Sequence, residues 1–297
     1  MALSTDASTL GNLRPTGRVA RRQAASRAAG WILLLCTLSG LVVLGFLAWD
    51  VAVQGWSHVN IDFLTSYASR RPENAGIRAT LWGSAWVMGL TILMALPLAV
   101  GTAVWLEELA PKNLLTKAVQ LNISNLASVP SIIYGILGLA VFVRLFGLGP
   151  SILSGALVLS LMILPMTVIA SQEAIRQVPP SIRDGSLALG ATQMQTIWFH
   201  VLPGAMPGIM TGVILAVSRA IGETAALIMI GAVAFIPFDN RSIFEDFTVL
   251  PIQIYDWTTR AQGPFQEIAA AGIIVLMAIV ITLNLIAVLL RERFRQR

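Results

Sequence analysis

Five stretches of this chain, 28–49, 79–106, 118–143, 145–172 and 268–290, contain no charged residue. Each is at least as long as the roughly 20 apolar residues an α-helix needs to cross the hydrocarbon core of a bilayer. A soluble protein buries one such helix, not five. Charged residues make up 12% of the chain, against about 25% in soluble domains, and the deficit is concentrated in these stretches. The expected fold is therefore all-α and integral to the membrane, with six transmembrane helices.

The expected spans are 29–53, 79–106, 122–146, 151–171, 207–235 and 267–290, with a kink at Pro97. Between them lie a polar segment at 54–78, a tight Gly147-Leu148-Gly149-Pro150 turn, a long connector at 172–206 and an acidic loop at 237–266. Residues 1–28 and 291–297 read as basic tails, the first of them disordered. Residues 79–290 read as one packed unit of five helices, with the first helix peripheral. The N-terminal pattern begins like a signal peptide, but its apolar run is longer than the roughly 7–15 residues of such a core, so the helix is expected to be retained.

Basic residues set the expected orientation. With both termini in the cytoplasm, thirteen Lys and Arg fall inside, including Arg14, Lys112, Lys117, Arg176, Arg183 and Arg297, and five fall outside. Trp31, Trp49, Trp56, Trp82, Trp105 and Trp257 fall near span ends, where aromatic belts form. The formal charge of +5 follows from this topology, so nucleic acid is not an expected partner, whereas membrane lipid is. Cys36 is the only cysteine and lies in the first span; His58 and His200 stand far apart. Neither an internal disulfide nor a metal site is expected.

The connector at 172–206 reads as helix, turn, helix. Ser181 is the expected cap of its first helix, with Asp184 near the positive end. Gly190 suits the left-handed residue that stops it. Thr192 is the expected cap of the second helix, and Leu202-Pro203 its end. Asp184-Gly185-Ser186, then Gly190, then His200-Val201-Leu202-Pro203 resemble the "EAA" loop of ABC importer permeases. His200 stands where isoleucine is usual. The resemblance implies a type I importer permease (MetI-like) fold, and a coupling element of Arg183, Asp184, Gly185, Ser186, Leu187 and Gly190 that docks on a separate ATPase subunit. An ordinary amphipathic connector is the alternative.

Span five carries Ser218-Arg219-Ala220-Ile221-Gly222-Glu223-Thr224-Ala225. Arg219 and Glu223 stand at i and i+4, on one face of a continuous helix. A charge at mid-membrane costs roughly 2.5–3.5 kcal/mol on insertion scales, so two are expected to pair or to line a watery path. A guanidinium fork matches phosphate oxygens, and a carboxylate beside it accepts the proton that phosphate carries and sulfate lacks. Both readings stay open: Arg219, Glu223, Ser218 and Thr224 lining a substrate pathway, or a structural ion pair. Gly204, Gly208, Gly212, Ala216 and Ala220 form a small-residue ridge that suits close helix packing. Arg144 either snorkels to the interface or draws anions into the path.

The segment Arg219–Ala225 also resembles the "RAIGET" segment of phosphate importer permeases. Leu106-Glu107-Glu108 and Val129-Pro130-Ser131-Ile132-Ile133-Tyr134-Gly135 are similar to the PstA-type subunit, over about residues 75–290. That resemblance implies four partners and roles: a PstC-type second permease, a homodimer of PstB-type ATPases that binds the ATP, a PstS-type phosphate-binding protein outside the cell, and Arg219 and Glu223 in translocation. It places the chain in the bacterial plasma membrane with no catalytic residues and no cofactor of its own. Consistent with this, Lys112 and Lys117 follow Pro and Thr, so neither completes the Gly-rich loop that cradles nucleotide phosphates. The competing readings are a permease for sulfate, molybdate or phosphonate, a stand-alone secondary transporter, and an intramembrane enzyme.

Overall fold

The computed structural model describes residues 17–233 and 235–295; most of the expected N-terminal tail, including Arg14, and the final Arg297 lie outside the described residues. The chain divides into two units, 1–53 and 54–297. Helix α1 (Arg18–Gly55) makes up the described part of the first and runs just past the boundary. It starts well before residue 29 because Ala, Arg and Gln between 18 and 29 are strong helix formers, so the expected disordered tail is helical from Arg18.

The second unit opens with α2 (Ile61–Thr65), capped by the Asn60 side chain, which accepts from the Phe63 amide at 2.7 Å. Helix α3 (Arg78–Val104) carries Pro97 and runs into a π-helical turn, Trp105–Leu109. Then come α4 (Leu114–Ala127) and α5 (Ser131–Gly138), the latter extended by a π-helical turn, Leu139–Leu145. Helix α6 (Ile152–Arg176) follows a cap at Ser151. The connector forms α7 (Pro180–Ala188) and α8 (Gln193–Thr196), and a third π-helical turn, Ile197–Val201, leads into α9 (Leu202–Ile221). The chain ends with α10 (Ala225–Met229), α11 (Leu250–Thr259) and α12 (Gly263–Arg295).

Among the described residues, five helical stretches are long and apolar enough to span a membrane, or six if α4 and α5, bent by 104°, count as one. That bend corrects the expected straight third span. Pro130 disfavours helical backbone at the residue before it, and Asn113 starts the first half early by accepting from the Thr116 amide. The fifth span is also shifted: it covers Gln193–Ile221 rather than 207–235. Pro203 does not end a helix there, because it sits at the start of α9, immediately after the π-helical turn. The acidic loop at 237–266 holds α11, whose Pro251 occupies the first turn, where a missing N–H is tolerated. Trp257 on α11 does not join an interfacial belt; it is fully buried, 6.1 Å from the ring of Phe63.

Helix α6 is the centre of this unit, packing along α3 on one side and α9 on another. The small-residue ridge of α9 faces it. A Cβ on Gly208 would lie 2.6 Å from that of Ala174, one on Gly212 would meet Ala170, and Ala216 and Ala220 are buried. Without a hydrophobic driving force between helices in lipid, such backbone approach supplies the packing attraction. At the opposite end of α6 from α7, the loop 235–249 folds over the bundle. Its Glu245 and Ile243 carbonyls accept from the Ile152 and Leu153 amides at 3.1 and 2.9 Å, satisfying donors a helix start leaves open. Phe247 fills the space beside Gly155, where a Cβ would approach its ring to 2.6 Å. Arg78 holds this loop through a two-point bond to Asp239, at 3.1 Å from Nε and 2.5 Å from Nη2.

Gly208→Leu forces the α6–α9 seam apart and should cost about 1–3 kcal/mol, seen as a lower thermal unfolding midpoint in detergent, whereas Gly185→Ala, which meets open space inside α7, should not lower the midpoint. The hydrogen bond from Arg78 holds the Asp239 carboxyl below its ordinary range. A lowered carboxylate stabilises the fold above its unfolded pKa, about 3.9, and loses that contribution as pH falls through its folded value. Amide exchange across 236–249, corrected for its intrinsic rate, should therefore rise below about pH 4, and Asp239→Asn should remove that dependence.

Candidate coupling element and mid-membrane site

Helix α7 begins at Pro180 with Pro179, not Ser181, in the cap position; Pro180 needs no amide partner in the first turn. The turn that follows uses Gly190 at φ +89°, a left-handed backbone that glycine adopts without steric cost. Thr192 then caps α8 in a reciprocal box: its hydroxyl accepts from the Gln195 amide at 3.3 Å and the Gln195 side chain accepts from the Thr192 amide at 2.8 Å. Ser186 and Thr196 hydroxyls meet at 3.0 Å and close the two helices on each other.

The six residues expected in this element divide into two sets. Ser186 is buried, and Arg183 turns inward: Nη1 donates to the Val178 carbonyl at 2.6 Å, and Nη2 to the Ile175 carbonyl at 3.0 Å and to the Glu108 carboxylate at 2.7 Å. Both hold the element in place. Asp184, Gly185, Leu187 and Gly190 are exposed. Ile182, Leu187, Leu189 and Met194 add exposed apolar side chains, with Leu189 91% exposed. The outer face of α7–α8 thus presents an apolar surface with one free carboxylate, a form suited to a protein partner.

Arg219 and Glu223 are not one turn apart on a helix. Helix α9 ends at Ile221, with Gly222 as its cap. Arg219 lies in the last turn, exposed, with Nη1 against the Met166 sulfur at 2.8 Å, a weak acceptor. Glu223 lies in the break and accepts from the Ala226 amide at 3.2 Å, holding the start of α10. Among the described residues the two form no ion pair, so the structural-pair alternative is not what the geometry shows. Glu223 also lines, with Ser84 and Leu159, a cavity of about 20 Å³, room for one water. Met166 stands ten residues from the α7 end of α6 and fourteen from the other, about 15 and 21 Å at 1.5 Å per residue. The helix break and the Arg219 guanidinium therefore lie near the middle of α6.

The other residues expected with them are dispersed. Ser218 donates to Asn284 on α12 at 2.6 Å and so serves the α9–α12 contact. Thr224 donates back to the Gly222 carbonyl at 3.3 Å within the break. Arg144 is exposed in the π-helical turn after α5 and, among the described residues, meets neither Arg219 nor Glu223. The broken span packs on the bent one: α10 lies against α5, where a Cβ on Gly135 would come within 2.7 Å of the Ala226 carbonyl. The Tyr134 hydroxyl donates to the Leu126 carbonyl at 2.8 Å and ties the two halves of the bend. Among the described residues no three His, Cys, Asp or Glu side chains converge as a metal site would require.

Residues 95–297 match the family model described as "Binding-protein-dependent transport system inner membrane component". The chain is similar to the probable ABC transporter permease protein YqgI of Bacillus subtilis, 34% identical over 272 residues, covering 88% of this chain and 92% of that protein. It is 30% identical over 277 residues to the phosphate transport system permease protein PstA 1 of Mycobacterium tuberculosis, covering 91% and 90%. Its fold is shared with a chain of a bacterial alginate ABC transporter (TM-score 0.65, 19% identity, 91% of this chain and 96% of that one) and of the MetNI methionine ABC transporter (0.56, 17%, 73% and 95%). A membrane-embedded bundle with a short structured element at one end of α6 and a broken helix at its centre is thus a transport permease. The chain belongs to the family of binding-protein-dependent transport system inner membrane components, and is an ABC importer permease.

Gly190→Val tests the turn. A β-branched residue at φ +89° costs roughly 1–2 kcal/mol, and the loss should appear as faster amide exchange in 186–196 with exchange in α6 unchanged.

Proposed function

We propose that this chain carries inorganic phosphate across the plasma membrane as one of two dissimilar permeases. The α7–α8 face lies in the cytoplasm, where two copies of a separate ATPase bind and hydrolyse ATP. A phosphate-binding protein delivers the anion to the opposite face, beside loop 235–249. Both termini then lie in the cytoplasm, as the distribution of basic residues requires. The observation that carries the substrate reading is Arg219: a permanently charged fork near the middle of α6, with no carboxylate partner among the described residues, beside a helix break. An anion that brings its own charge relieves the cost of that guanidinium, and phosphate oxygens fit its donor geometry. Relatives named as phosphate transport permeases, at 30% identity over most of the chain, support the same substrate.

The mechanism follows from the connections. ATP binding draws the ATPase subunits together and displaces α7–α8. The π-helical turn 197–201 joins α8 to α9 without a loop, so that displacement reaches the end of α9, where Arg219 sits. Gly222, Glu223 and Thr224 form the joint about which α9 moves relative to α10. Arg219 alternates between access from either face, and one phosphate is released inward per cycle. The part of this chain is the path and its gate.

Uptake of radiolabelled phosphate by the reconstituted transporter tests this. Arg219→Gln should reduce uptake by at least about tenfold, the loss of a charge-assisted contact of 1.4 kcal/mol or more, with the ATPase subunits still bound. Arg219→Lys, which keeps the charge and loses the fork, should fall between. Undiminished uptake by Arg219→Gln would remove this residue from the pathway, and uptake of sulfate or molybdate in place of phosphate by the unaltered complex would overturn the substrate assignment.

A further inference from the structure

The ends of α3, α6 and α7 and the middle of α4 meet in a polar knot built around two adjacent carboxylates, Glu107 and Glu108. The π-helical turn Trp105–Leu109 buries Leu106 in the core while sending its two neighbours in different directions. Glu107, 16% exposed at its side chain, receives Arg176 of α6 in a two-point bond, at 2.9 Å from Nε and 2.7 Å from Nη2. It also accepts from Gln172 Nε2 at 2.8 Å. Gln172, itself 1% exposed, exchanges amide bonds with Gln120 of α4 at 2.9 and 3.0 Å. Glu108, 11% exposed, receives Arg183 of α7, at 3.0 Å from Nε and 2.7 Å from Nη2. Its backbone carbonyl accepts from Gln193 Nε2 of α8 at 2.6 Å.

We propose that Glu108 and Arg183 are the positioning pair through which a displacement of α7–α8 enters the transmembrane bundle at α3, with Glu107, Arg176 and Gln172 fixing the receiving end to α6. Three features point to transmission rather than to anchoring alone. Arg183 uses its guanidinium to bridge α7 to two elements at once, the α3 end through the carboxylate and the α6 end through the Ile175 and Val178 carbonyls. Glu108 is gripped from both helices of the coupling element, by Arg183 of α7 and Gln193 of α8, so that element cannot tilt without pulling on it. The Arg183–Glu108 bonds are charge-assisted and part-buried, and such a tie resists stretching more than a solvated surface pair does. The route is distinct from the covalent one through the 197–201 turn into α9. Together the two routes make α7–α8 push on α3 and α9, the helices on either side of α6.

This inference rests on the reading that an ATPase docks on α7–α8. The test uses the complete transporter in proteoliposomes, with ATP hydrolysis and phosphate uptake measured in parallel. Glu108→Gln should leave the ATPase subunits bound and hydrolysing while phosphate moved per ATP falls about tenfold, within the range of coupling energies between sites. The double reversal, Glu108→Arg with Arg183→Glu, should recover part of that ratio, because it restores the attraction but not the bonds to Ile175 and Val178. An unchanged ratio in Glu108→Gln would overturn the proposal, as would a fall in uptake and hydrolysis in strict proportion. If Glu108→Gln does not assemble, Arg183→Lys, which keeps the charge but cannot bridge both elements, carries the same comparison. Failure of the unaltered complex to take up phosphate would count against the functional reading instead. Whether the tie itself exists is then decided on the chain alone, where Glu108→Gln should speed amide exchange across 180–196 about tenfold and unchanged exchange would refute it.

Discussion

Helix α6 is the element on which the rest of the structure depends, because it is buried along most of its length and offers small side chains to its neighbours. In lipid, apolar surface alone brings no two helices together. What holds this bundle is backbone approach, at Gly208 and Gly212 against Ala174 and Ala170, and polar ties placed at the two ends. At one end loop 235–249 closes over the first amides of α6; at the other, Arg176 and Gln172 tie its last turn to Glu107.

The charges inside the bundle then acquire separate duties. Glu107, Glu108, Arg176 and Arg183 neutralise one another at the α7 end and set the position of the coupling element. Glu223 spends its carboxylate on the Ala226 amide. Arg219 alone of this group points at nothing stronger than a thioether. With no counter-charge among the described residues, Arg219 is the group the proposed function assigns to the anion, with the break after Ile221 beside it.

Much of this was legible in the sequence. Charge-free stretches announced every span but Gln193–Ile221, and the connector's helix-turn-helix form was readable in its left-handed Gly190 and its Thr192 cap. The failures have physical causes. Leu202-Pro203 looked like a helix end, but a proline in the first turn of a helix costs little, and a π-helical turn carries the chain past it. Gly222 was a visible interruption, yet the i, i+4 spacing of Arg219 and Glu223 suggested a continuous helix on one face of which the two would pair or line a path. Pro130 was likewise the sign of the bend in the third span. The Glu107–Glu108 knot was unreadable because its partners lie 65 to 85 residues away in sequence; two adjacent carboxylates at a span end, with arginines at the end of another, were the only signal.

On the proposed function, a separate ATP-driven partner grips the α7–α8 face from the cytoplasm. The most direct measurement replaces Cys36 by Ser, introduces Leu189→Cys at the exposed tip, and follows labelling by a membrane-impermeant maleimide in vesicles of known sidedness. Labelling should occur only where the cytoplasmic face is outward, and should be suppressed when the ATPase subunits are added. Labelling from the opposite face, or labelling that those subunits leave untouched, would contradict it.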